Sequence, residues 1–203
     1  MKILVILAHP NPASFNAAIA QTVVQTLEAA GYEVMFHDLY AEGFDPVLPT
    51  GEVCQDAVLP PLVAQHIADL MTARGIVIVH PSWWGQPPAI LKGWLDRVLR
   101  LKIAYDLPGP PGTGMPRGLL AAETAVVFTT SNTPPLREID LYGDPLQNIW
   151  ENCVFRVCGV SRFFRKNFAV MATSSAARRQ QWLAEVVKII KGCFPCQNNS
   201  GKV

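Results

Sequence analysis

The run Lys2-Ile3-Leu4-Val5-Ile6-Leu7-Ala8, stopped by His9-Pro10 and followed by Ser14 and a helical apolar pattern, decides the fold class. It is apolar and β-branched without alternation, as in a strand covered on both faces, and this points to a parallel sheet. Past the proline-broken loop, Ser14 is placed to cap a helix. In that helix Ile19, Ala20, Val23, Val24, Leu27 and Ala30 repeat at helical spacing, and Gly31 closes it. Strand, loop and capped helix make a first βα unit.

The same grammar recurs downstream. Glu33 to His37 reads as a second, weaker strand, and Gln65 to Thr72 as a helix leading to Gly75. Ile76-Val77-Ile78-Val79-His80 is a second fully apolar strand. Pro88 then opens a helix with Ile90, Leu91, Trp94, Leu95, Val98 and Leu99 on one face. Ala125 to Phe128 is a further strand, ending in Thr129-Thr130-Ser131-Asn132. Arg162 to Met171 gives a fifth, and Leu183, Val186, Val187 and Ile190 mark a C-terminal helix. Alternating β and α units predict an α/β doubly wound five-stranded parallel sheet with right-handed crossovers. Ligands of such sheets bind beyond the carboxyl ends of the strands, where the strand order reverses.

The chain has 203 residues, which at roughly 150 residues per domain favours one core. Residues 1–192 are expected to form a single domain, and residues 193–203, rich in Asn, Ser and Gly, a flexible tail. Residues Leu107 to Gly118, dominated by Pro and Gly, read as a loop over the sheet edge. Seventeen basic residues against sixteen acidic ones leave a net charge of +1, which offers no field for a phosphate backbone and argues against nucleic acid. No window carries the 18 or so apolar residues that a membrane span needs. Charged residues are 16% of the chain against a usual figure of about 25%, so apolar surface is left over that a second subunit can cover. A homodimer is expected. Five scattered cysteines read as reduced thiols of a cytoplasmic protein; Cys193 and Cys196 form a C-x-x-C with no second pair to complete a zinc site, and no metal is expected.

The first βα turn lacks G-x-G-x-x-G, which excludes a tight dinucleotide bed of the Rossmann type. The helix start still offers free amides, the Ser14 hydroxyl, the Asn16 amide and His9 to a phosphate; the plainer alternative is that Ser14 only caps and His9 is solvated. In Pro81-Ser82-Trp83-Trp84-Gly85-Gln86-Pro87, two adjacent tryptophans stand in a loop at a strand end, where large flat surfaces are normally avoided. Either something flat lies on them or they pack in a contact. Thr129 to Asn132 adds hydroxyls and an amide at the next strand end.

Ala8-His9 with Ser14-Phe15-Asn16, then Pro81-Ser82-Trp83-Trp84, then Pro88-Ala89-Ile90-Leu91-Lys92-Gly93-Trp94, then Thr129-Thr130, resembles the flavodoxin-like NAD(P)H:quinone oxidoreductases, the DT-diaphorase family. The match runs from Lys2 to about Asp144. The resemblance implies the flavodoxin-like sheet order 2-1-3-4-5 and a bound flavin, FAD with FMN as the alternative. It also implies hydride transfer from NAD(P)H to a quinone or similar acceptor. It places His9, Ser14, Phe15 and Asn16 on the phosphate turn, Ser82, Trp83, Trp84 and Gly85 against the ring, and Thr129, Thr130, Ser131 and Asn132 at the ring's polar edge. Tyr105 matches an aromatic over the substrate pocket, and Arg178 an arginine near the adenylate end. Where the family has Gly-Gly after Thr-Thr, this chain has Ser131-Asn132. Where it has Tyr and then His-Gly, this chain has Leu136-Arg137 and Tyr142-Gly143; Tyr142, to donate to the reduced ring, and Tyr105 are the catalytic candidates. Two other readings stay open: a flavin-binding regulatory subunit of a potassium efflux transporter, and a plain electron carrier.

Overall fold

The computed structural model describes residues 1–110 and 113–197. Strand β1 (Lys2–Leu7) lies inside a five-stranded parallel sheet, with side chains alternating between two separate cores. Ile3, Val5 and Leu7 enter one core, and Leu4, Ile6 and Ala8 the other. The absence of sequence alternation therefore reports two covered faces, as expected. Helix α1 (Phe15–Ala29) covers the first face and is stopped by Gly31, whose φ of +85° is the left-handed conformation that favours glycine. Strand β2 (Glu33–Asp38) is an edge strand, half covered, which is why its pattern is weak.

Helix α2 (Pro61–Thr72) begins four residues before the expected Gln65, because prolines 60 and 61 start it without a polar cap. Strand β3 (Gly75–Pro81) is buried throughout, and helix α3 (Ala89–Val98) follows Pro88. The Pro/Gly-rich segment is fastened at both ends by a two-residue ladder, β4 (Tyr105–Asp106) with β5 (Arg117–Gly118). Gly118 is required there, since a Cβ would stand 2.1 Å from the Gly159 nitrogen. Strand β6 (Thr124–Thr130) is fully buried. Two short helices, α4 (Pro135–Asp140) and α5 (Pro145–Asn148), and a π-helical turn at Ile149–Phe155 lead to β7 (Arg162–Phe168) and α6 (Ala176–Cys193).

The sheet order is β2-β1-β3-β6-β7, all parallel; without the two ladder strands, counting along the chain gives 2-1-3-4-5, the expected flavodoxin-like order. Helices α2 and α3 and the 149–155 turn cover one face; α1 and α6 cover the other. The order reverses between β1 and β3, and this opens a crevice at their carboxyl ends. A strap of irregular chain from Tyr40 to Pro60 crosses α2 and α3. It lies so close that a Cβ on Gly93 would meet the Pro46 carbonyl oxygen at 2.2 Å.

Residues 193–197, read from the sequence as part of a flexible tail, are packed. Phe194 is buried against Gly75 and edge-on to Tyr32, the Tyr32 hydroxyl donates to the Pro195 carbonyl, and the Gln197 amide donates to that of Ala30. A C-terminal aromatic closes the amino ends of β1 and β3, a contact that no local composition announces. The rest of that tail, 198–203, lies outside the described residues. The five cysteines are free; burial pushes the Cys158 thiol up to about 11 and raises that of Cys193, which disfavours the thiolate at these two positions. No helix among the described residues is long and apolar enough to cross a membrane.

Candidate functional site

Three loops leave the carboxyl ends of β1, β3 and β6 and enclose a cleft of about 230 Å3. The first contributes His9, Ser14, Phe15 and Asn16; the second Ser82 and Trp83; the third Thr130, Ser131 and Asn132. Pro81 and Met171, which sequence reasoning missed, complete the lining. The second and third loops are tied together where the Ser82 amide donates to the Thr130 carbonyl at 2.7 Å.

At the start of α1, the Ser14 hydroxyl accepts from the Ala17 amide (3.1 Å), and the Ser14 carbonyl accepts from Ala18. The Phe15 and Asn16 amides, one turn too early for an intrahelical acceptor, are the orphan donors of this helix end. No acidic side chain occupies its first turn, so the positive end of a 15-residue helix faces the cleft uncompensated. That is an anion site made of main chain.

The side chains are arranged differently from expectation. The Asn16 amide, 3% exposed, is engaged within the protein: its Nδ2 donates to Thr130 Oγ1 at 2.9 Å, joining the first and third loops. Thr129 is buried, with its hydroxyl donating to Asn167 Oδ1; Asn167 Nδ2 donates to Ser131 Oγ, and Asn132 Oδ1 accepts from the Ala172 amide. These groups shape the third loop, whose main chain is itself bonded at two residues: the Thr130 carbonyl takes the Ser82 amide, the Ser131 amide donates to the Phe168 carbonyl, and the Ser131 carbonyl accepts from Met171. At His9, Nδ1 lies 3.0 Å from the Asn11 amide nitrogen and 3.2 Å from the Asn11 carbonyl oxygen, accepting from the first when unprotonated and donating to the second when protonated. Burial lowers this histidine's pKa, opposed by the Asn11 carbonyl and the Asp38 charge.

Trp83 and Gln86 exchange two backbone hydrogen bonds of 3.0 Å, and the residues between them, Trp84 and Gly85, both have positive φ (+56° and +68°). Positive φ at both central positions marks a type I′ hairpin turn. A bulky residue pays about 1–2 kcal/mol for that conformation. Trp83 lines the cleft with its ring centre 6.3 Å from that of His9, whereas Trp84 stands fully exposed at the tip.

Trp84, Gly85 and Thr129 thus frame the cleft without lining it. Arg178 does not line it: its guanidinium lies 5.3 Å from the Trp182 ring centre and donates to Gln181, and the Trp182 ring is in turn 5.8 Å from that of Phe15. Tyr142 is exposed on the connection after α4. Tyr105 borders a different cleft, of about 300 Å3, between the strap and α3.

Across residues 1–190 the chain matches the model of a family described as having the flavodoxin-like fold. The chain belongs to that family. This flavodoxin-like chain is 35% identical over 165 residues to an uncharacterized NAD(P)H oxidoreductase of Haemophilus influenzae, covering 79% of each. It is 27% identical over 215 residues to the mouse ribosyldihydronicotinamide dehydrogenase [quinone], covering 95% of this chain and 92% of that one. Among solved structures, Smu.1420 of Streptococcus mutans superposes with a TM-score of 0.83 at 31% identity, over 95% of this chain and all of the other.

Away from the cleft, the flavodoxin-like chain gathers His37, Glu42 and His66, whose ligand atoms lie within 4.8 Å of one another. The Trp94 indole N–H, which only donates, points at His66 Nδ1 (3.0 Å). Neutral His66 therefore carries its proton on Nε2, 3.1 Å from Glu42 Oε2, and has no lone pair there for a metal. His37 bridges Glu42 (2.7 Å) and Asp69 (3.0 Å). The cluster is a fastening between the strap, β2 and α2.

Proposed function

We propose that this protein is a flavin-dependent oxidoreductase that passes hydride from NAD(P)H to a quinone or similar flat acceptor. The observation that carries the reading is the joint presence, in one cleft, of an uncompensated helix N-terminus and a tryptophan face. Nothing in the core requires either. The dehydrogenase and oxidoreductase names of the relatives support it, and lend no support to the transporter-regulator alternative.

A flavin supplies a ring that takes hydride from one substrate and gives it to the next. The chain's own part is to bind and orient. The Phe15 and Asn16 amides receive the phosphate, Trp83 gives the flat wall, and the third loop meets the polar edge of the ring at Asn132. At about 230 Å3 the cleft is smaller than the usual small-molecule site of about 300–1,000 Å3. One subunit then grips part of the group, and a second copy covers the rest. Exposed Val47, Val53, Leu107, Met115 and Leu119 give that copy an apolar surface near Tyr105. Tyr105 and Tyr142, outside the cleft of their own chain, enter the reaction in this arrangement from the subunit contact. FAD is the form the resemblance implies, with Arg178 its candidate at the adenylate end.

Purified protein is expected to bind one flavin per chain and to oxidise NAD(P)H only when a quinone is supplied. Mass measurement of the extracted group separates FAD from FMN. A protein that takes up neither on titration overturns the reading. Ser14→Ala is expected to lose about 1 kcal/mol of stability through the cap and to bind flavin more weakly, measured by urea unfolding and by titration. Lost stability at unchanged flavin affinity makes Ser14 a cap and nothing more.

A further inference from the structure

The turn that carries Trp83 does not stand on its own strand alone. At the end of β3, His80 is completely buried between two partners of fixed chemistry. The Trp150 indole N–H donates to His80 Nε2 at 3.0 Å, and His80 Nδ1 donates to the Pro81 carbonyl at 2.8 Å. An indole can only donate and a carbonyl only accept, so the neighbours assign the neutral ring with its proton on Nδ1. The Trp150 side chain is itself fully buried and stacked on Phe155, so its N–H has one direction to point. The carbonyl it fixes through His80 is the one immediately before Ser82.

A second contact reaches the turn from the same stretch of chain. A Cβ on Gly85 would stand 2.9 Å from Pro145 Cγ, so the proline ring is seated directly against the glycine. Pro145 is held in turn by Asp144, whose carboxylate takes both Nη atoms of the nearly buried Arg165 at 2.8 Å each and accepts from the Gln147 amide. Arg165 comes from β7, so the seat is anchored in the sheet.

We propose that the segment from Asp144 to Trp150 is a positioning platform for the Trp83–Gln86 turn, acting through Trp150 on His80 and through Pro145 on Gly85. It sets where the Trp83 ring stands in the cleft. Trp150 and Pro145 are its positioning residues; neither lines the cleft. The consequence for ring binding rests on the flavin reading above, while the coupling between platform and turn does not.

The experiment compares the parent with Trp150→Phe, which keeps the stacked ring and removes the N–H, and with Pro145→Ala, which removes the seat and leaves the hydrogen bonds. On the flavin-free protein, backbone amide resonances of Ser82 to Gln86 are expected to shift and broaden in both variants, and the His80 Nε2 nitrogen shift to move in Trp150→Phe alone, as Nε2 loses its donor while Nδ1 keeps its proton on the Pro81 carbonyl. Unchanged resonances at Ser82 to Gln86 in both variants overturn the platform. Pro145→Ala decides the matter alone if Trp150→Phe does not fold. With flavin bound, each variant is expected to weaken affinity about 2- to 10-fold, the size of one hydrogen bond or contact, and to alter the visible circular dichroism of the ring. A parent that binds no flavin removes the functional reading and leaves the amide result to judge the platform; a parent that binds flavin, with variants of equal affinity and dichroism, refutes the claim on ring placement.

Discussion

Taking the flavin-free protein from pH 7 to pH 5 is expected to remove about 4 kcal/mol of its unfolding free energy, about 2 kcal/mol from each of two histidines. His80 is lowered from 6.5 to about 4, chiefly by burial; the Pro81 carbonyl opposes that shift and the Arg165 charge adds to it. His66 is lowered to about 4 by burial and then by His37, with Asp69 opposing. Both rings stay neutral in the fold while the unfolded chain takes up protons below pH 6.5. The unfolded state then binds more protons, so stability falls as the pH drops through the window from about 6.5 to about 4. Above pH 7 the contribution is complete. Urea unfolding at the two pH values measures it, and a midpoint that does not move would dismiss the neutral-ring assignments at both sites.

An effect of similar size is expected from Arg97→Leu, about 3–5 kcal/mol, because the change leaves a buried carboxylate without its partner. Arg97 donates to both Glu52 oxygens, from Nε at 2.9 Å and from Nη2 at 2.5 Å, and from Nη1 to the Asp45 carbonyl at 2.6 Å. The side chains of Arg97 and Glu52 are 4% and 6% exposed. The pair ties the strap to α3, so its loss frees the segment that borders Tyr105. Replacing both partners, Arg97→Leu with Glu52→Leu, is expected to recover much of the loss, because a well-packed apolar pair carries no desolvation cost. A single variant that loses less than about 1 kcal/mol in denaturant unfolding would mean that Glu52 finds water or another cation.

The sheet was legible because β1, β3 and β6 are buried on both faces and show it as unbroken apolar runs. The connection between β6 and β7 was not. Helices α4 and α5 and the π-helical turn are each too short to display a period, and two of them open on proline. At the site, residue type at strand ends located the cleft loops, but type does not reveal partners. Asn16 and Thr129 carry ligand-like groups that are occupied by Thr130 and Asn167. Arg178 lies over Trp182, one turn further along its own helix, whereas Tyr105 faces the strap because long-range packing places it there. His80 did leave a trace, a titratable residue ending an apolar strand, yet its partner Trp150 is 70 residues away with no spacing to betray it.

The strained turn also gives the molecule an optical property. Trp94, Trp150 and Trp182 are buried and Trp83 is half covered, whereas the Trp84 ring is fully exposed to solvent. A collisional quencher dissolved in water therefore meets one indole first, and that indole sits one residue from the cleft wall. Its fluorescence, without any label, reports what covers the loop.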